Sequence, residues 1–300
     1  MQYDFYTAPP DYPSYVKKLR ELKRDFPFLQ IFSIGQSLLG RQIYAISLGV
    51  SNPCTLMAGA FHAQEWLTCT LLVRFLEHLS LSYRQNTAIA GSLVADSLSA
   101  RGVVFVPLVN PDGVQIALYG PDTAGALAST VEKIQARSPK SWQANARGVD
   151  LNHNFDAGFD ILREMETESG ITLPFPRQYG GAFPHSEPET RALVSFLRGR
   201  RVETLYAFHS QGEEIYSEYG CHTPAQSKYI AKLLCEASGY TPVANDGLCS
   251  HGGCKDYFIE KYHRPGFTIE IGKGENPLPI ESLEDIYERT LEMMLIAAVI

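Results

Sequence analysis

The chain has 300 residues, of which 45% are hydrophobic and 20% are charged, and its formal net charge is −7. This composition is ordinary for a globular protein, and the length suits one large α/β domain or two small ones. The negative balance, with no basic cluster to offset it, argues against a nucleic-acid partner.

The ends of the chain and its cysteines bear on where the protein works. Residues 1–6 carry neither the basic nor the apolar segment of a secretory signal. No apolar run approaches the roughly 20 residues of a membrane-spanning helix. The six cysteines form no CxxC pair, which favours buried or free thiols over disulfides. We therefore expect a cytoplasmic protein with no membrane partner, of undefined oligomeric state.

Strands and helices alternate along the first part of the chain. The hydrophobic pattern predicts, in order, a helix at 15–24, strands at 28–34, 43–48 and 55–60, a helix at 65–80 and a strand at 103–109. The last two of these strands are continuous apolar runs, which are typical of strands buried on both faces. The strand at 103–109 ends in Asn110-Pro111-Asp112-Gly113, a strong turn signal.

The second part of the chain adds long polar and Gly-rich loops. The predicted elements are loops at 141–155 and 175–188, a helix to about 198, a strand at 204–208, a helix at 225–238, a loop at 246–256, a strand at 266–271 and a helix at 283–300. Ser186 and Glu189 have the spacing of a capping box, so we assign no chemistry to Glu187 or Glu189. The alternation predicts an α/β fold in one domain over residues 1–300, with a mixed, mostly parallel sheet covered by helices.

A pair of potential metal ligands follows the strand at 55–60. His62 and Glu65 are three residues apart, so both side chains can face the same side of one helical turn or tight loop. Imidazole nitrogen and carboxylate oxygen are ligands that Zn²⁺ accepts, and a catalytic zinc needs three protein ligands and one open position. The motif is short and common by chance, and a partly exposed His and Glu opening a helix is the alternative.

Two further residues lie in or after other predicted strands. His209 follows the strand at 204–208 and completes a His/Glu/His set, although spacing alone does not select it. Glu270 is the acidic residue of an apolar strand, where either an ion pair with a Lys or Arg or a catalytic role explains it. In such sheets, sites gather at the carboxyl ends of strands, where His62 and Asn110 both lie.

Five segments in a fixed order make the chain resemble the zinc carboxypeptidase family, that of carboxypeptidase A. They are His62-Ala63-Gln64-Glu65, Asn110-Pro111-Asp112-Gly113, Gly148-Val149-Asp150-Leu151-Asn152, His209-Ser210 and Glu270. The resemblance spans residues 25–300, and the ordered combination is more specific than any one segment. It implies an eight-stranded mixed sheet between helices and one zinc ion per chain on His62, Glu65 and His209. It also implies that Glu270 is the general base and acid.

Some positions depart from the family pattern. Asn152-His153 occurs where typical members have Asn-Arg to hold a substrate's C-terminal carboxylate, and a His is a weaker, pH-dependent clamp. Nearby Arg147 is a candidate to replace that charge or to hold the oxyanion. The resemblance also puts Leu248 at the position of a mobile tyrosine. It puts Lys255 in the side-chain pocket, where a Lys suits an acidic substrate and an exposed Lys is the alternative.

The segments at 179–189 and 270–277 are similar to the branch of the family that cleaves cell-wall peptides. This resemblance implies a zinc peptidase that hydrolyses the bond between γ-D-glutamate and diaminopimelate in muropeptide-like substrates. Extra basic groups such as Arg147 and Lys255 match the two carboxylates of diaminopimelate. The alternatives are a conventional metallocarboxypeptidase that removes C-terminal residues, a related zinc amidohydrolase, and a zinc-stabilised binding protein.

Overall fold

The computed structural model of the chain describes residues 5–89, 91–138, 142–244 and 251–300. The strands are β1 Gln30–Gln36, β2 Gln42–Leu48, β3 Cys54–Gly59, β4 Ala88–Ile89, β5 Ser92–Leu93, β6 Gly102–Val106, β7 Val202–His209, β8 Glu214–Tyr216, β9 Thr241–Val243 and β10 Gly266–Glu270. The α-helices are α1 Tyr12–Asp25, α2 Leu67–Gln85, α3 Val94–Ser97, α4 Pro111–Tyr119, α5 Ala128–Gln135, α6 Phe159–Glu168, α7 Pro188–Gly199, α8 Gln226–Ser238, α9 Cys254–Tyr262 and α10 Leu283–Val299.

Eight of these strands form one mixed sheet in the order β1-β2-β6-β3-β7-β10-β8-β9, and β4 and β5 form a separate small hairpin. The four central strands β6, β3, β7 and β10 are parallel to one another. The hairpin β1–β2 and the strand β8 are antiparallel to their inner neighbours. The predicted eight-stranded mixed sheet is confirmed, and its parallel centre brings four strand ends to the same edge.

Apolar side chains cover both faces of the sheet, because successive residues of a strand point to opposite sides. In β3, Met57 belongs to an apolar layer that contains residues of α1, α2, α8 and α10, whereas Leu56 and Ala58 belong to a second layer that contains residues of α7 and α9. Stacked rings of Tyr206 and Phe267, with centroids 5.0 Å apart, join neighbouring strands on the first face. This burial on both faces explains the continuous apolar runs in the sequence.

The long predicted elements occur in the structure with boundaries shifted by a few residues, and several short elements were not predicted. The unpredicted elements are the hairpin β4–β5, the strands β8 and β9, and the helices α3, α6 and α9. Helix α9 begins at Cys254, inside the loop predicted for 246–256, and residues 246–250 of that loop lie outside the described residues. The loop at 142–155 is confirmed and contains one short 3₁₀ turn, Leu151–His153.

The segment at Asn110, predicted as a turn, instead opens helix α4. The Asn110 side chain caps the helix by accepting the Gly113 N–H at 2.9 Å, and Pro111 occupies the first helical position. A capping Asn followed by Pro uses the same residues as a turn, because both begin by bending an extended chain. The turn prediction is wrong for this reason, and the strand before it ends earlier than predicted, at Val106.

The predicted capping box at Ser186 and Glu189 is also wrong. Helix α7 has Glu187 as its N-cap residue, without a capping side chain. The Glu189 carboxylate instead accepts the Leu38 N–H at 2.9 Å and the Asn145 amide at 3.2 Å. Both glutamates are buried and support the loop around Asn145, which also donates to Glu187 at 2.8 Å.

Two further observations concern the described helices and cysteines. No helix in the described ranges has the length and apolar character needed to cross a bilayer. Five cysteines of the described part of the chain are free thiols, namely Cys54, Cys69, Cys221, Cys235 and Cys254. Cys249 lies outside the described residues.

Candidate active site

His62 and Glu65 lie directly after β3, in the short connection to α2. Ala60 has a left-handed backbone with φ 50°, and His62 is the N-cap residue of the 3₁₀ turn Ala63–Glu65. Thr68 Oγ1 accepts the Ala60 N–H and donates to the Glu65 carbonyl, each at 2.8 Å, and so ties the strand end to α2. This tight connection leaves His62 Nδ1 2.8 Å from Glu65 Oε1.

His209, the last residue of β7, meets this pair from the neighbouring strand. Its Nδ1 lies 3.0 Å from Glu65 Oε2 and 3.3 Å from His62 Nδ1. The ligand atoms of the three residues all lie within 4.8 Å of one another. The predicted His/Glu/His set is therefore brought together, although 144 residues separate Glu65 from His209 in the sequence.

The donor set fits a zinc ion. With metal–ligand distances of about 2.0–2.1 Å in a tetrahedron, two ligand atoms are about 3.3 Å apart, which is the separation of the two Nδ1 atoms, 3.3 Å. Two imidazole nitrogens and one carboxylate gathered this closely form a cradle for a cation, since each of the three groups can offer it a lone pair. His62, Glu65 and His209 leave one tetrahedral position open, as a catalytic zinc site requires.

Asp150 orients the first of these ligands, a role that the sequence did not assign. Its Oδ1 lies 3.0 Å from His62 Nε2 and accepts the Asn152 N–H at 3.1 Å. Its Oδ2 accepts the Gln178 N–H at 3.0 Å. The carboxylate thus holds the proton of His62 on Nε2 and leaves Nδ1 available for a metal, the usual carboxylate–histidine–zinc arrangement.

The buried charges of this cluster stabilise one another. Burial raises the pKa of Glu65, but the adjacent His62 and His209 outweigh it and hold that pKa at about 2. Burial opposes protonation of His62 as well, yet the carboxylates of Glu65 and Asp150 raise its pKa well above the ordinary value. The cluster therefore prefers ionised carboxylates facing a positive charge, which a divalent cation supplies.

Glu270 ends β10, beside His209 on β7 and opposite Glu214 on β8. It lines the same cavity as His62. Burial and the negative charge of Glu65 raise the pKa of Glu270 well above its usual range. Within the described ranges, Glu270 has no ion pair with a Lys or Arg. An ion pair therefore does not explain this acidic residue in an apolar strand.

A cavity of about 210 Å³ opens next to the metal ligands. This volume is smaller than the roughly 300–1,000 Å³ of most ligand pockets. The cavity can therefore hold a group of about the size of one amino-acid residue. The residues around it are His62, Gln143, Asp150, Asn152, His153, Arg177, Gln178, Tyr216, Gly253, Lys255, Asp256, Thr268 and Glu270. Three of the predicted substrate-binding residues, Asn152, His153 and Lys255, are among them.

Asn152 and His153 lie in the 3₁₀ turn that follows Asp150. Asn152 Oδ1 accepts the Cys254 N–H at 2.9 Å, which joins this turn to the start of α9. His153 is buried, and its Nδ1 lies 3.1 Å from the Gln178 carbonyl oxygen, to which only an N–H can donate. Both side chains are therefore committed partly to the loops that form the cavity wall.

Lys255 is buried rather than exposed, with 4% of its side chain accessible. Its Nζ donates to the Glu218 carbonyl oxygen at 2.7 Å and forms an ion pair with the neighbouring Asp256. Both Lys255 and Asp256 line the cavity. A buried lysine–aspartate pair at a cavity wall presents a donor and an acceptor side by side.

Arg147 is not among the cavity-lining residues. Its backbone N–H donates to Asn145 Oδ1 at 2.9 Å. Half of its side chain is exposed, and its Nε lies 3.7 Å from Glu187 Oε2. The role expected of Arg147, holding a carboxylate or an oxyanion, therefore stays a prediction.

Arg177, which the sequence reasoning missed, does line the cavity. It lies in the Pro-rich loop at 175–188, between Pro176 and Gln178. Gln178 has a left-handed backbone with φ 65°. The sequence offered one signal for this residue, a basic side chain in a loop of aromatic and turn residues. A loop has no regular periodicity, so its sequence does not show which side chains face a site. Leu248, predicted at the position of a mobile tyrosine, lies outside the described residues.

Comparisons with known proteins agree with this geometry. The sequence profile of the zinc carboxypeptidase family matches residues 15–293. The gamma-D-glutamyl-L-diamino acid endopeptidase 1 of Lysinibacillus sphaericus is 34% identical over 287 residues, which are 95% of this chain and 71% of that protein.

Two solved structures share the fold. Carboxypeptidase A from Helicoverpa armigera has a TM-score of 0.74 at 19% identity, over 98% of this chain and 73% of that one. The murein-tripeptide amidase MpaA from Escherichia coli O157 has a TM-score of 0.55 at 21% identity, over 89% of this chain and 91% of that one. Together with a profile match over nearly the whole sequence, the convergence of the three metal ligands shows that this chain belongs to the zinc carboxypeptidase family and is a zinc metallopeptidase.

Proposed function

We propose that this zinc peptidase hydrolyses the bond between γ-D-glutamate and diaminopimelate in peptides derived from peptidoglycan. A relative named for the γ-D-glutamyl–diamino acid bond is 34% identical over 95% of the chain, which supports the same bond as the target here. The observation that carries the proposal is the buried Lys255–Asp256 pair in the wall of the cavity beside the metal ligands.

The pair complements the far end of a diaminopimelate side chain. That end bears an ammonium and a carboxylate on one carbon, so Lys255 can bind the carboxylate while Asp256 binds the ammonium. An apolar side chain offers neither group and would cover a buried ion pair without new hydrogen bonds, which is unfavourable. The cavity is therefore better suited to a zwitterionic side chain than to an apolar one.

In the proposed mechanism, Glu270 takes the proton of an attacking water and then donates it to the leaving amine. Zinc bound by His62, Glu65 and His209 would lower the pKa of a coordinated water and polarise the scissile carbonyl. The raised pKa of Glu270 suits the second step, because a carboxyl group that readily accepts a proton is available to deliver it. Asn152 and His153 position the substrate at the cavity wall. The match over residues 15–293 supports one catalytic domain across residues 1–300.

The choice of bond is tested by comparing two tripeptides, L-Ala-γ-D-Glu-diaminopimelate and L-Ala-α-L-Glu-L-Lys, with the zinc-loaded enzyme. We expect kcat/KM for the first to be at least about 100-fold higher, because only its side chain matches both members of the Lys255–Asp256 pair. A preference for the α-linked peptide would instead establish a conventional carboxypeptidase, and hydrolysis of neither peptide would point to the amidohydrolase alternative.

The role of Glu270 is tested by Glu270→Gln. The amide is nearly isosteric but cannot carry the proton, so we expect kcat to fall by about 10²–10⁴-fold with zinc content and thermal unfolding unchanged. Glu288→Gln, at an exposed position of α10, is the matched control and should keep full activity. Turnover by Glu270→Gln at the rate of the control would remove Glu270 from the mechanism and leave the binding-protein alternative open.

A further inference from the structure

We infer that Arg177 is a specificity-determining residue that binds the substrate carboxylate next to the cleaved bond. This inference rests on the proposed function, in which the substrate is a peptide whose last residue has a free carboxylate. It adds that the side chain of Arg177 binds this carboxylate.

The charges around the cavity leave Arg177 available for a ligand. The other permanent cation of the cavity wall, Lys255, is already bound to Asp256 and to the Glu218 carbonyl oxygen. Arg177 is exposed, and within the described ranges no acidic group or carbonyl pairs with its guanidinium. In a chain of net charge −7, an arginine without an ion pair beside a zinc site is suited to bind an anion.

His153 is less suited to this role because of its hydrogen bond to the loop. Its Nδ1 donates to the Gln178 carbonyl oxygen at 3.1 Å, so this nitrogen is already used by the loop. Only Nε2 is left to face a ligand, and one nitrogen cannot contact both oxygens of a carboxylate as a guanidinium does. A guanidinium keeps its charge at every working pH and presents a two-pronged donor that matches the two carboxylate oxygens.

The backbone around Arg177 is fixed relative to the metal ligands. On one side, the Pro176 carbonyl oxygen accepts the N–H groups of Gln143 and Ala144 at 2.8 and 3.0 Å. On the other side, the Gln178 N–H donates to Asp150 Oδ2 at 3.0 Å, and the other oxygen of Asp150 lies 3.0 Å from His62 Nε2. One carboxylate thus joins the Arg177 loop to a metal ligand.

The backbone strain next to Arg177 is consistent with a functional position. Gln178 has φ 65°, a left-handed conformation that is uncommon for a residue other than glycine. Such strain is retained where surrounding contacts over-determine the backbone, and these positions cluster at ligand-binding sites. Here the contacts come from the loop at 142–155 and act on both peptide groups that flank the arginine.

The test measures KM and kcat for Arg177→Gln and Arg177→Lys, with L-Ala-γ-D-Glu-diaminopimelate and with the same peptide amidated at the carboxylate beside the cleaved bond. For the free acid, we expect Arg177→Gln to raise KM about 10- to 100-fold with kcat changed less than about 3-fold, from the loss of a charged bidentate contact. The KM of Arg177→Lys should lie between the values of the native enzyme and of Arg177→Gln, because lysine keeps the positive charge but lacks the two-pronged donor of a guanidinium. For the amidated peptide, all three enzymes should have the same KM.

Arg198→Gln is the control, since it removes the same charge from an exposed position near the end of α7, away from the cavity. Binding of free diaminopimelate to each zinc-loaded enzyme, measured by calorimetry, gives a readout that does not depend on turnover. If Arg177→Gln does not fold, the Arg177→Lys data with both peptides carry the test. An equal rise of KM for acid and amide, or an unchanged KM for the acid, would overturn the assignment.

Failure of the proposed function can be separated from failure of this inference. If the native enzyme does not cleave the γ-linked peptide, the same variants are compared on an α-linked peptide that it does cleave, as free acid and as amide. Loss of acid-over-amide discrimination in Arg177→Gln then still supports the carboxylate anchor. Retention of that discrimination rejects the anchor, whichever bond the enzyme prefers.

Discussion

Single residues outside the metal-binding set determine how well that set binds zinc. Asp150 contacts no metal position, but its two oxygens join His62 to the backbone of Asn152 and Gln178. A partner of this kind fixes the tautomer of a ligating imidazole and increases its basicity. We therefore expect the affinity for zinc to depend on a side chain in a loop as well as on the residues at the strand ends.

Asp150→Asn should weaken zinc binding by about 10- to 100-fold. The amide lacks the negative charge, and its NH₂ group must face either the His62 N–H or the Gln178 N–H. Competition with a chromophoric chelator measures the affinity directly. Asp160→Asn, at an exposed position in the first turn of α6, should leave the affinity unchanged. Equal affinities of the two variants would show that His62 does not need its carboxylate partner.

Glu189 is a buried carboxyl group that makes the stability of the fold depend on pH. Burial raises its pKa to about 7 from an ordinary value of 4.5, although the Leu38 N–H favours the ionised form. Because the folded-state pKa is the higher one, the folded protein binds the proton more tightly than the unfolded chain. The stabilisation is fully present below pH 4.5 and is lost as the pH rises through 7.

Glu189→Gln should remove this pH dependence. The shift corresponds to about 3 kcal/mol of unfolding free energy between pH 4.5 and pH 8. We expect the difference in urea unfolding free energy between pH 5 and pH 8 to be smaller in the variant by about that amount. Glu132→Gln, an exposed substitution on α5, should keep the pH profile of the native protein. A profile that stays the same in Glu189→Gln would contradict the assignment of the titration to Glu189.

At the scale of secondary-structure elements, Asn110 connects three parts of the site. Its Oδ1 caps α4 through the Gly113 N–H. Its Nδ2 donates to the carbonyl oxygens of Phe61 and Ala144 at 3.0 and 3.2 Å. Phe61 precedes His62, and Ala144 belongs to the loop that leads to Asp150, so one amide aligns the start of α4 with both.

Asn110→Ala should destabilise the protein by about 2–4 kcal/mol, because it removes a helix cap and leaves buried carbonyls without a donor. Denaturation in urea measures this cost. Asp11→Ala is a matched comparison that removes the cap of α1 at Ser14 and should cost only about 1 kcal/mol. Costs of equal size in the two variants would mean that the contacts to Phe61 and Ala144 contribute little.

At the scale of the whole molecule, the metal site lies at one edge of a sheet whose stability comes from elsewhere. The two apolar layers that cover the sheet contain none of the metal ligands. Burial of apolar surface dominates folding, so the fold should persist without zinc. We therefore expect that the protein can lose its metal without unfolding.

Removal of zinc with a chelator should abolish peptide hydrolysis while the far-ultraviolet circular dichroism spectrum is retained. A ligand present at 1,000 times its Kd stabilises the folded state by about 4 kcal/mol, so Tm should fall on the order of 5–10 °C. Scanning calorimetry with and without added zinc measures the shift. Complete unfolding on chelation, or hydrolysis that continues without metal, would contradict this expectation.

The sequence by itself determined the features that depend on local pattern. The buried strands, the long helices and the pairing of His62 with Glu65 follow from apolar periodicity and from a spacing of three residues, which are properties of adjacent positions. Strands of two or three residues, such as β4, β8 and β9, were missed because they are too short to show alternation. The order of the motifs was sufficient to indicate the family.

The tertiary structure alone decided which distant side chains meet. It brought His209 to Glu65 across 144 residues, assigned the orientation of His62 to Asp150, and placed Arg177 among the residues that line the cavity. The physical reason is that loop side chains have no periodic register, so their directions are set by hydrogen bonds to other loops. For Arg147 and Arg177 those bonds involve Asn145 and Asp150, whose contacts form only when the sheet has assembled.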